Sequence, residues 1–328
     1  MKFFDPKRDG IFFSFIIGFF FLLYFFVVGP VFLHPKAVPF AKNELADAER
    51  LRGNVAYLTS LSPTRTFPNA TLDDGAKYVT EYFQKYCDEV AVQSYTVASS
   101  TAKNIVCTFN KTKPSVIVIG AHYDTFGITP GADDNASGVA GLLELARLIS
   151  SNSQKFKNRV DLVAFTLEEP PYFHTEYMGS YQYALSLKKQ NVPVRFMVSL
   201  EAIGYYSDKK NSQKFPHWLL RAVYPNTGNF ALIAGDIRNS LLTRNFKKNF
   251  MEGTGLPVSS LSGPVSLFGL DFSDHWSFLG FGYPAVMITD TAMYRNPNYH
   301  KKSDTKETID YAKMSEVVQG MYSAVMRF

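Results

Sequence analysis

Two neighbouring stretches hold the densest chemistry in the chain: Gly120-Ala-His122-Tyr-Asp124 and Gly131-Ala-Asp133-Asp134-Asn135-Ala-Ser-Gly138. They set a histidine, a carboxylate two residues later and a pair of aspartates at the end of an apolar run, just before a helical pattern. Imidazole and carboxylate are the ligand types that hold Zn²⁺ when thiolates are absent. Further groups of the same types follow: Glu168-Glu169 after the apolar run 160–165, Glu201 after 194–200, and Tyr299-His300 in the loop after 285–288. Each alone reads as a solvated loop charge, and a lone His300 as structural. Together they form a crowd of carboxylates that is costly to desolvate without a counter-charge, and metal ions remove that cost.

Such groups need rigid elements to aim them. The apolar runs 116–119, 160–165, 194–200, 230–234 and 285–288 are predicted as buried strands. Residues 137–149, 240–251 and 311–326 are predicted as helices, the first with Val139, Leu142, Leu143, Ala146 and Ile149 on one side. This alternation predicts an α/β fold with a mixed, largely parallel central sheet flanked by helices. Ligands in such sheets bind beyond the carboxyl ends of the strands. At least four of the strands deliver a carboxylate or imidazole to that edge.

The chain has 328 residues, of which 46% are hydrophobic and 19% charged, a globular composition. Its formal charge of +5 is mild and no Lys/Arg block is dense, so a nucleic-acid partner is not expected. Two cysteines, Cys87 and Cys107, exclude a disulfide framework and a Cys₄ zinc site. Pairing requires an oxidising compartment, and two partly buried free thiols are the simpler expectation.

From Gly10 to Leu33 there is no charged residue, enough apolar chain to cross a bilayer as a helix. The run is too long for a signal peptide and lacks a small-x-small cleavage site. Residues 1–34 are therefore expected to be an N-terminal tail and transmembrane anchor, in contact with the lipid bilayer through residues 10–33. Pro30, Pro35 and Pro39 then form a short stiff spacer. With no repeat or linker beyond it, residues 35–328 are expected to be one catalytic domain. Lys2, Lys7 and Arg8 precede the span while Lys36, Lys42, Arg50 and Arg52 follow it, so basic residues do not set its orientation. Long domains translocate regardless of such charges, and the expectation is a single-pass protein with its catalytic domain on the extracytoplasmic side. The sequons at Asn69 and Asn110 add nothing, because Asn135 inside the acidic motif sits in one too.

His122-x-Asp124, Gly-Ala-Asp-Asp134-Asn-x-Ser-Gly, Glu168-Glu169, Glu201-x-Ile-Gly-Tyr and Tyr-His300-x-x-x-Asp304 resemble the co-catalytic zinc exopeptidases of metallopeptidase family twenty-eight. That family includes secreted bacterial leucyl aminopeptidases and the glutaminyl cyclases. The five motifs occur in the right order over residues 100 to 328. The resemblance implies two Zn²⁺ ions per chain, with Asp134 bridging them, His122 and Glu201 completing one site, and Glu169 and His300 the other. It makes Glu168 the general base and Asp124 the acid that orients His122. Co²⁺ or Mn²⁺ could occupy an N/O site of this kind. Adjacent residues in an extended segment point opposite ways. Glu168 and Glu169 can therefore serve one centre only if the chain bends after Leu167.

The family pattern is departed from twice. Glu201 stands where many members have aspartate. After Glu169 comes Pro170-Pro171-Tyr172-Phe173-His174-Thr-Glu-Tyr177-Met-Gly179-Ser, longer than the link in simpler members; its aromatics either line a substrate pocket or pack the loop. Ser273-Asp274-His275 resembles a further family motif, with Asp274 bonding the substrate amine or the general base and His275 a packed structural residue. Asp304 is expected to tie down the His300 loop. There is no G-x-S-x-G elbow and no H-E-x-x-H helix. The implied activity is a metal-dependent aminopeptidase acting on peptides with a free N-terminus, through a hydroxide shared by two metals. The alternatives are a glutaminyl cyclase, with one zinc on Asp134, Glu169 and His300, and a non-catalytic receptor-like ectodomain, whose kind has lost metal ligands.

Overall fold

The computed structural model describes residues 14–19, 21, 36, 38–41, 44–61, 64–264 and 269–328. In chain order its main elements are α1 (Ala48–Ser60), α2 (Ala70–Phe83), β1 (Glu89–Val97), β2 (Ser100–Phe109), β3 (Val116–His122), α3 (Gly138–Ser150), β4 (Arg159–Phe165) and α4 (Gly179–Lys189). There follow β5 (Val194–Glu201), β6 (Ala231–Asp236), α5 (Ser240–Met251), β7 (Val258–Gly263), α6 (His275–Gly280), β8 (Ala285–Thr289) and α7 (Tyr311–Arg327).

The strands form one sheet in the order β1-β2-β4-β3-β5-β8-β6-β7. Its centre, β4-β3-β5-β8, is parallel throughout, and β6–β7 is the fourth parallel pairing; the other three are antiparallel. The fold is thus the expected mixed α/β type. The register pairs His122 with Phe165 and Glu201 with Thr289, so the carboxyl ends of the four central strands share one edge. Parallel neighbours need crossover connections, and α3 and α4 supply them between β3, β4 and β5. The two faces of the sheet bury different sets of side chains. Helices α1, α2, α3, α5 and α7 cover one face, where α3 is held between β3 and the α1 and α7 helices. Helices α4 and α6 cover the other.

The strands β1, β2 and β7 and the helices α1, α2, α4 and α6 were not anticipated from the sequence. β1 is an edge strand with most of its residues partly exposed, so it carries no apolar run. Helix α1 has a low average hydrophobicity along its length; its start is set instead by Asp47, whose carboxylate accepts the N–H groups of Glu49 and Arg50.

The expectation of free thiols is overturned: Cys87 and Cys107 form a disulfide. β1 and β2 pair as a hairpin in which Val90 faces Cys107. The fold therefore returns Cys107 to the place where α2 hands over to β1, and without that hairpin the two residues look unrelated. The link closes a loop 20 residues long, worth about 3 kcal/mol in the chain-entropy view. The anchor expected over residues 10–33 lies almost wholly outside the described residues. Among the described residues no helix is long and apolar enough to cross a membrane.

Candidate metal centre

Each donor group reaches the common edge by a different local device. β3 runs straight into His122, which is fully buried. The turn after it reaches Asp134 through Gly131, at φ +62°. A Cβ at Gly131 would stand 2.4 Å from Thr125 Cγ2 and 2.5 Å from the Asp134 carbonyl, so only glycine fits. The peptide bond between Asp134 and Asn135 is cis. Asn135 then stitches this turn to β5: its Nδ2 donates to Leu200 O, and its Oδ1 accepts from Ala202 N and Gly138 N.

After β4 the chain bends at Leu167, held at φ +61°, as two adjacent glutamates serving one site require. A left-handed leucine costs about 1–2 kcal/mol. Asp124 offsets this, accepting the Glu168 N–H at 3.3 Å on one oxygen and the Glu169 N–H at 3.0 Å on the other. Its Oδ1 also stands 3.5 Å from His122 Nδ1. Asp124 therefore fixes the 168–169 segment, which the sequence did not show, and faces the His122 ring without a hydrogen bond to it. Glu201 closes β5 and accepts a hydrogen bond from Ser273 Oγ at 2.8 Å; Ser273 in turn meets Ser199 at 2.6 Å. His300 sits on a loop at φ +57°, its ring stacked against Phe126 at 4.1 Å and Tyr299 at 3.9 Å.

These side chains meet around Asp134. One of its oxygens is 3.2 Å from His122 Nε2 and the other 3.0 Å from His300 Nε2. Glu201 lies 3.4 Å and Glu168 3.8 Å from His122 Nε2, while Glu169 lies 3.5 Å from His300 Nε2. His122, Asp134 and Glu201 are close enough to hold one ion, and so are Asp134, Glu169 and His300; His122, Glu168 and Glu169 form a third overlapping group. His122 Nε2, Asp134 Oδ1, Glu169 Oε1 and His300 Nε2 are buried with no hydrogen-bond partner among the described residues. Orphaned donor atoms of this kind need either protons or a cation.

The electrostatics say the same. Burial pushes Glu168 well above the usual carboxylate range, aided by Glu201, Asp274 and Asp124 and opposed by His122. Burial does the same to Glu169, helped by Asp134 and Glu168. Burial would lower His122, but Glu168 and Glu201 outweigh it and hold its proton well above the ordinary value. Only Asp134 is pulled down, because the imidazoles of His122 and His300 close beside it outweigh the burial penalty. The donor set thus fits a divalent cation.

Asp274 is buried beside this cluster, and burial pushes its carboxyl up to about 7. His275 is a packed structural histidine: it is fully buried, bonds to Leu270 O at 2.6 Å, and is lowered by burial to about 4. Asp304 does more than hold its own loop. It accepts the N–H groups of Asp133 and Asp134 at 3.0 and 3.1 Å, so the His300 loop braces the Asp134 turn. Asp133 points away from the centre, to Gly204 N and Asn296 Nδ2.

The aromatics after Glu169 pack on one another and their neighbours. Tyr172 meets Phe67 and Tyr177, Phe173 meets Phe272, and His174 stacks on Trp276. An apolar cavity opens instead on the other side of Glu201, between β6, β8 and the segments 213–224 and 291–294, and Tyr299 borders it. No residue of 170–180 lines it. The sequence reading missed this cavity because its walls come from segments scattered between Glu201 and Tyr299.

A parallel sheet edge carrying two overlapping His/carboxylate sets is the architecture of a metal-dependent hydrolase. The particular assignment follows from comparison with known proteins: the sequence pattern of Peptidase family M28 matches residues 104–325, and the chain belongs to that family of zinc exopeptidases. It is 40% identical over 322 residues to YfbL, an uncharacterized protein of Escherichia coli (strain K12), covering 95% of this chain and 97% of that one. It is 27% identical over 267 residues to a probable leucine aminopeptidase of Trichophyton verrucosum, covering 77% of this chain and 65% of the relative, so it spans about two thirds of that protein's length. LapB from Legionella pneumophila superposes with a TM-score of 0.68 at 20% identity, over 90% of this chain and 78% of LapB. Tannerella forsythia glutaminyl cyclase superposes with a TM-score of 0.64 at 20% identity, over 87% of this chain and 99% of the cyclase. At such identities the two structures attest the fold alone.

Proposed function

We propose that this chain is a zinc-dependent aminopeptidase that uses two ions to remove apolar N-terminal residues from peptides. The observation that carries the reading is the sharing of Asp134 between two complete donor sets, His122/Asp134/Glu201 and Asp134/Glu169/His300. Zinc ions bound there supply Lewis acidity and a nucleophilic water at neutral pH. Glu168, buried between His122 and Glu169, is placed where it would take a proton from an attacking water and return it to the departing amine. Asp124 holds the 168–169 segment in place and is assigned to orient His122, whose Nδ1 it faces at 3.5 Å. Asp274 is assigned to the free α-amine of the substrate. The cavity beside Glu201, walled by Phe230, Leu232, Leu270 and Met287, takes an apolar first side chain.

A glutaminyl cyclase would use one zinc on Asp134, Glu169 and His300, all present here, so the number of tightly bound ions separates the two activities. A receptor-like ectodomain is disfavoured because no donor is missing. We further assign residues 10–33 to a bilayer span and residues 35–328 to an extracytoplasmic catalytic domain. The Cys87–Cys107 disulfide supports that side, because such bonds persist in oxidising compartments.

The test is mass spectrometry of a mixed peptide pool incubated with the zinc-loaded protein. Loss of whole N-terminal residues, with Leu, Met and Phe ahead of Gly and Asp, is the expected result. Loss of ammonia from Gln-starting peptides alone would replace the peptidase with a cyclase. Membrane fractionation with and without residues 1–34 tests the anchor, and release to the soluble fraction on deletion is expected.

A further inference from the structure

Arg65 stands in the turn between α1 and α2, distant in sequence from every donor group, and is only 1% exposed. A buried guanidinium must satisfy its N–H donors. Here the acceptors are main-chain carbonyls. Nε donates to Tyr123 O at 2.8 Å, Nη1 to Leu58 O at 2.7 Å and Pro130 O at 3.1 Å, and Nη2 to Gly131 O at 3.1 Å. Two of the segments so gripped carry the centre. Tyr123 lies between His122 and Asp124, and Pro130 and Gly131 open the turn that ends at Asp134. The grip is mutual, since Thr125 N donates to Arg65 O at 3.1 Å. The turn bearing Arg65 is itself pinned: Thr64 Oγ1 donates to Gly127 O at 2.9 Å, and Thr71 Oγ1 donates to Thr64 O.

The charge matters as much as the geometry. Burial lowers the Arg65 guanidinium to about 10, while Asp124, Asp304 and Asp134 act to raise it. It therefore stays cationic at neutral pH, close to the acid cluster.

We propose that Arg65 is a positioning residue for the metal centre, fixing the His122–Asp124 segment against the Gly131–Asp134 turn before an ion arrives and placing a permanent positive charge behind the carboxylates. This rests on the zinc reading above. A residue that only glued loops together would set the stability of the fold and leave metal affinity alone. Arg65→Lys keeps the charge but loses the planar fork, whereas Arg65→Gln loses the charge. Thr71→Val loosens the turn without touching the guanidinium.

The experiment strips the full-length protein and these variants of metal, titrates each with zinc against a chromogenic chelator, and records thermal unfolding with and without zinc. Loss of an outer support of a metal site typically weakens binding about 10–100-fold. Arg65→Lys is expected toward the lower end of that range, Arg65→Gln toward the upper, and Thr71→Val is expected to shift affinity by less in the same direction. The zinc-induced rise in unfolding temperature should shrink in the same order. Variants that unfold earlier but bind zinc as the wild type does would overturn the proposal. If neither Arg65 variant folds, Thr71→Val decides by the same criterion. A wild-type chain binding one zinc sinks the two-ion reading and leaves Arg65 judged on that ion; one binding none sinks both.

Discussion

The two donor sets that share Asp134 use the same chemistry on unlike supports. The inner set is built on strand ends: His122 closes β3, Glu201 closes β5, and both are buried, with Ser273 holding the Glu201 carboxylate. The outer set hangs from loops. Glu169 follows the bend at Leu167, and His300 keeps 27% of its side chain exposed between two aromatic rings. A strand end inherits its precision from the sheet ladder, whereas a loop residue needs its own clamp. The inner set should therefore hold its ion more tightly, and the outer set should exchange its ion.

Glu168 touches both halves, so its substitution has the largest expected effect. Glu168→Gln should lower kcat by about 10²–10⁴-fold, the range for lost general acid–base catalysis, while both zinc ions remain bound. Single-turnover kinetics with zinc content measured on the same sample checks this. Near-full turnover would remove Glu168 from the mechanism, and loss of an ion would make it a ligand.

The comparison itself is broken or sharpened by removing one histidine at a time. His300→Ala should empty the outer set and leave one tightly held ion. His122→Ala should weaken the inner set by more than the ~100-fold that marks the upper range for a mere supporting residue. Zinc stoichiometry by titration reads both. If either variant releases both ions together, the halves are one unit and the contrast fails.

Donors of both halves were legible in the sequence, those at strand ends most plainly. Apolar runs that lead into His122, Glu168-Glu169 and Glu201 announce parallel strands with polar groups at their ends, because burial on both faces leaves a continuous hydrophobic signature. The bend at Leu167 followed from the need for two adjacent glutamates to face one centre. What holds those groups was not legible. Arg65 looks like an ordinary charge in a polar turn, and Phe126 like a stray exposed aromatic. The β1–β2 hairpin lacks apolar alternation, and so the Cys87–Cys107 pairing stayed hidden. In each case the partner is brought in by tertiary structure from a distant segment, where no local period can record it.

A third prediction concerns the charge that both halves need. Burial raises Asp290 to about 6, Asp274 to about 7 and Asp304 to about 8, all from an ordinary value of 3.8. Carboxyls raised by folding hold protons more tightly in the native state. Their contribution is complete below about pH 4 and is lost as pH climbs through 6 to 8. Metal-free protein should therefore melt at a lower temperature at pH 8 than at pH 5, by on the order of 5 °C, and zinc should shrink the gap. Scanning calorimetry with and without a chelator measures it. A metal-free melting temperature that rises across this range would show that these acids do not carry raised affinities.

The smallest effect should come from the clamp on the outer histidine. Phe126 is 36% exposed, yet its ring lies 1° from parallel with His300, which Tyr299 also stacks against. Stacked ring pairs contribute about 0.5–1.5 kcal/mol, so Phe126→Ala should weaken the outer ion by about 2–10-fold and leave the inner ion unchanged. Phe126→Tyr keeps the stack and should bind as the wild type does. The readout is the zinc off-rate from each set, followed by chelator capture in stopped flow. Faster release of one ion alone would confirm that the loop-borne half depends on aromatic packing where the strand-borne half depends on the sheet. Equal acceleration of both ions would mean that Asp134 transmits any disturbance of His300 to His122, and that the bridge couples the two halves more strongly than their separate supports divide them.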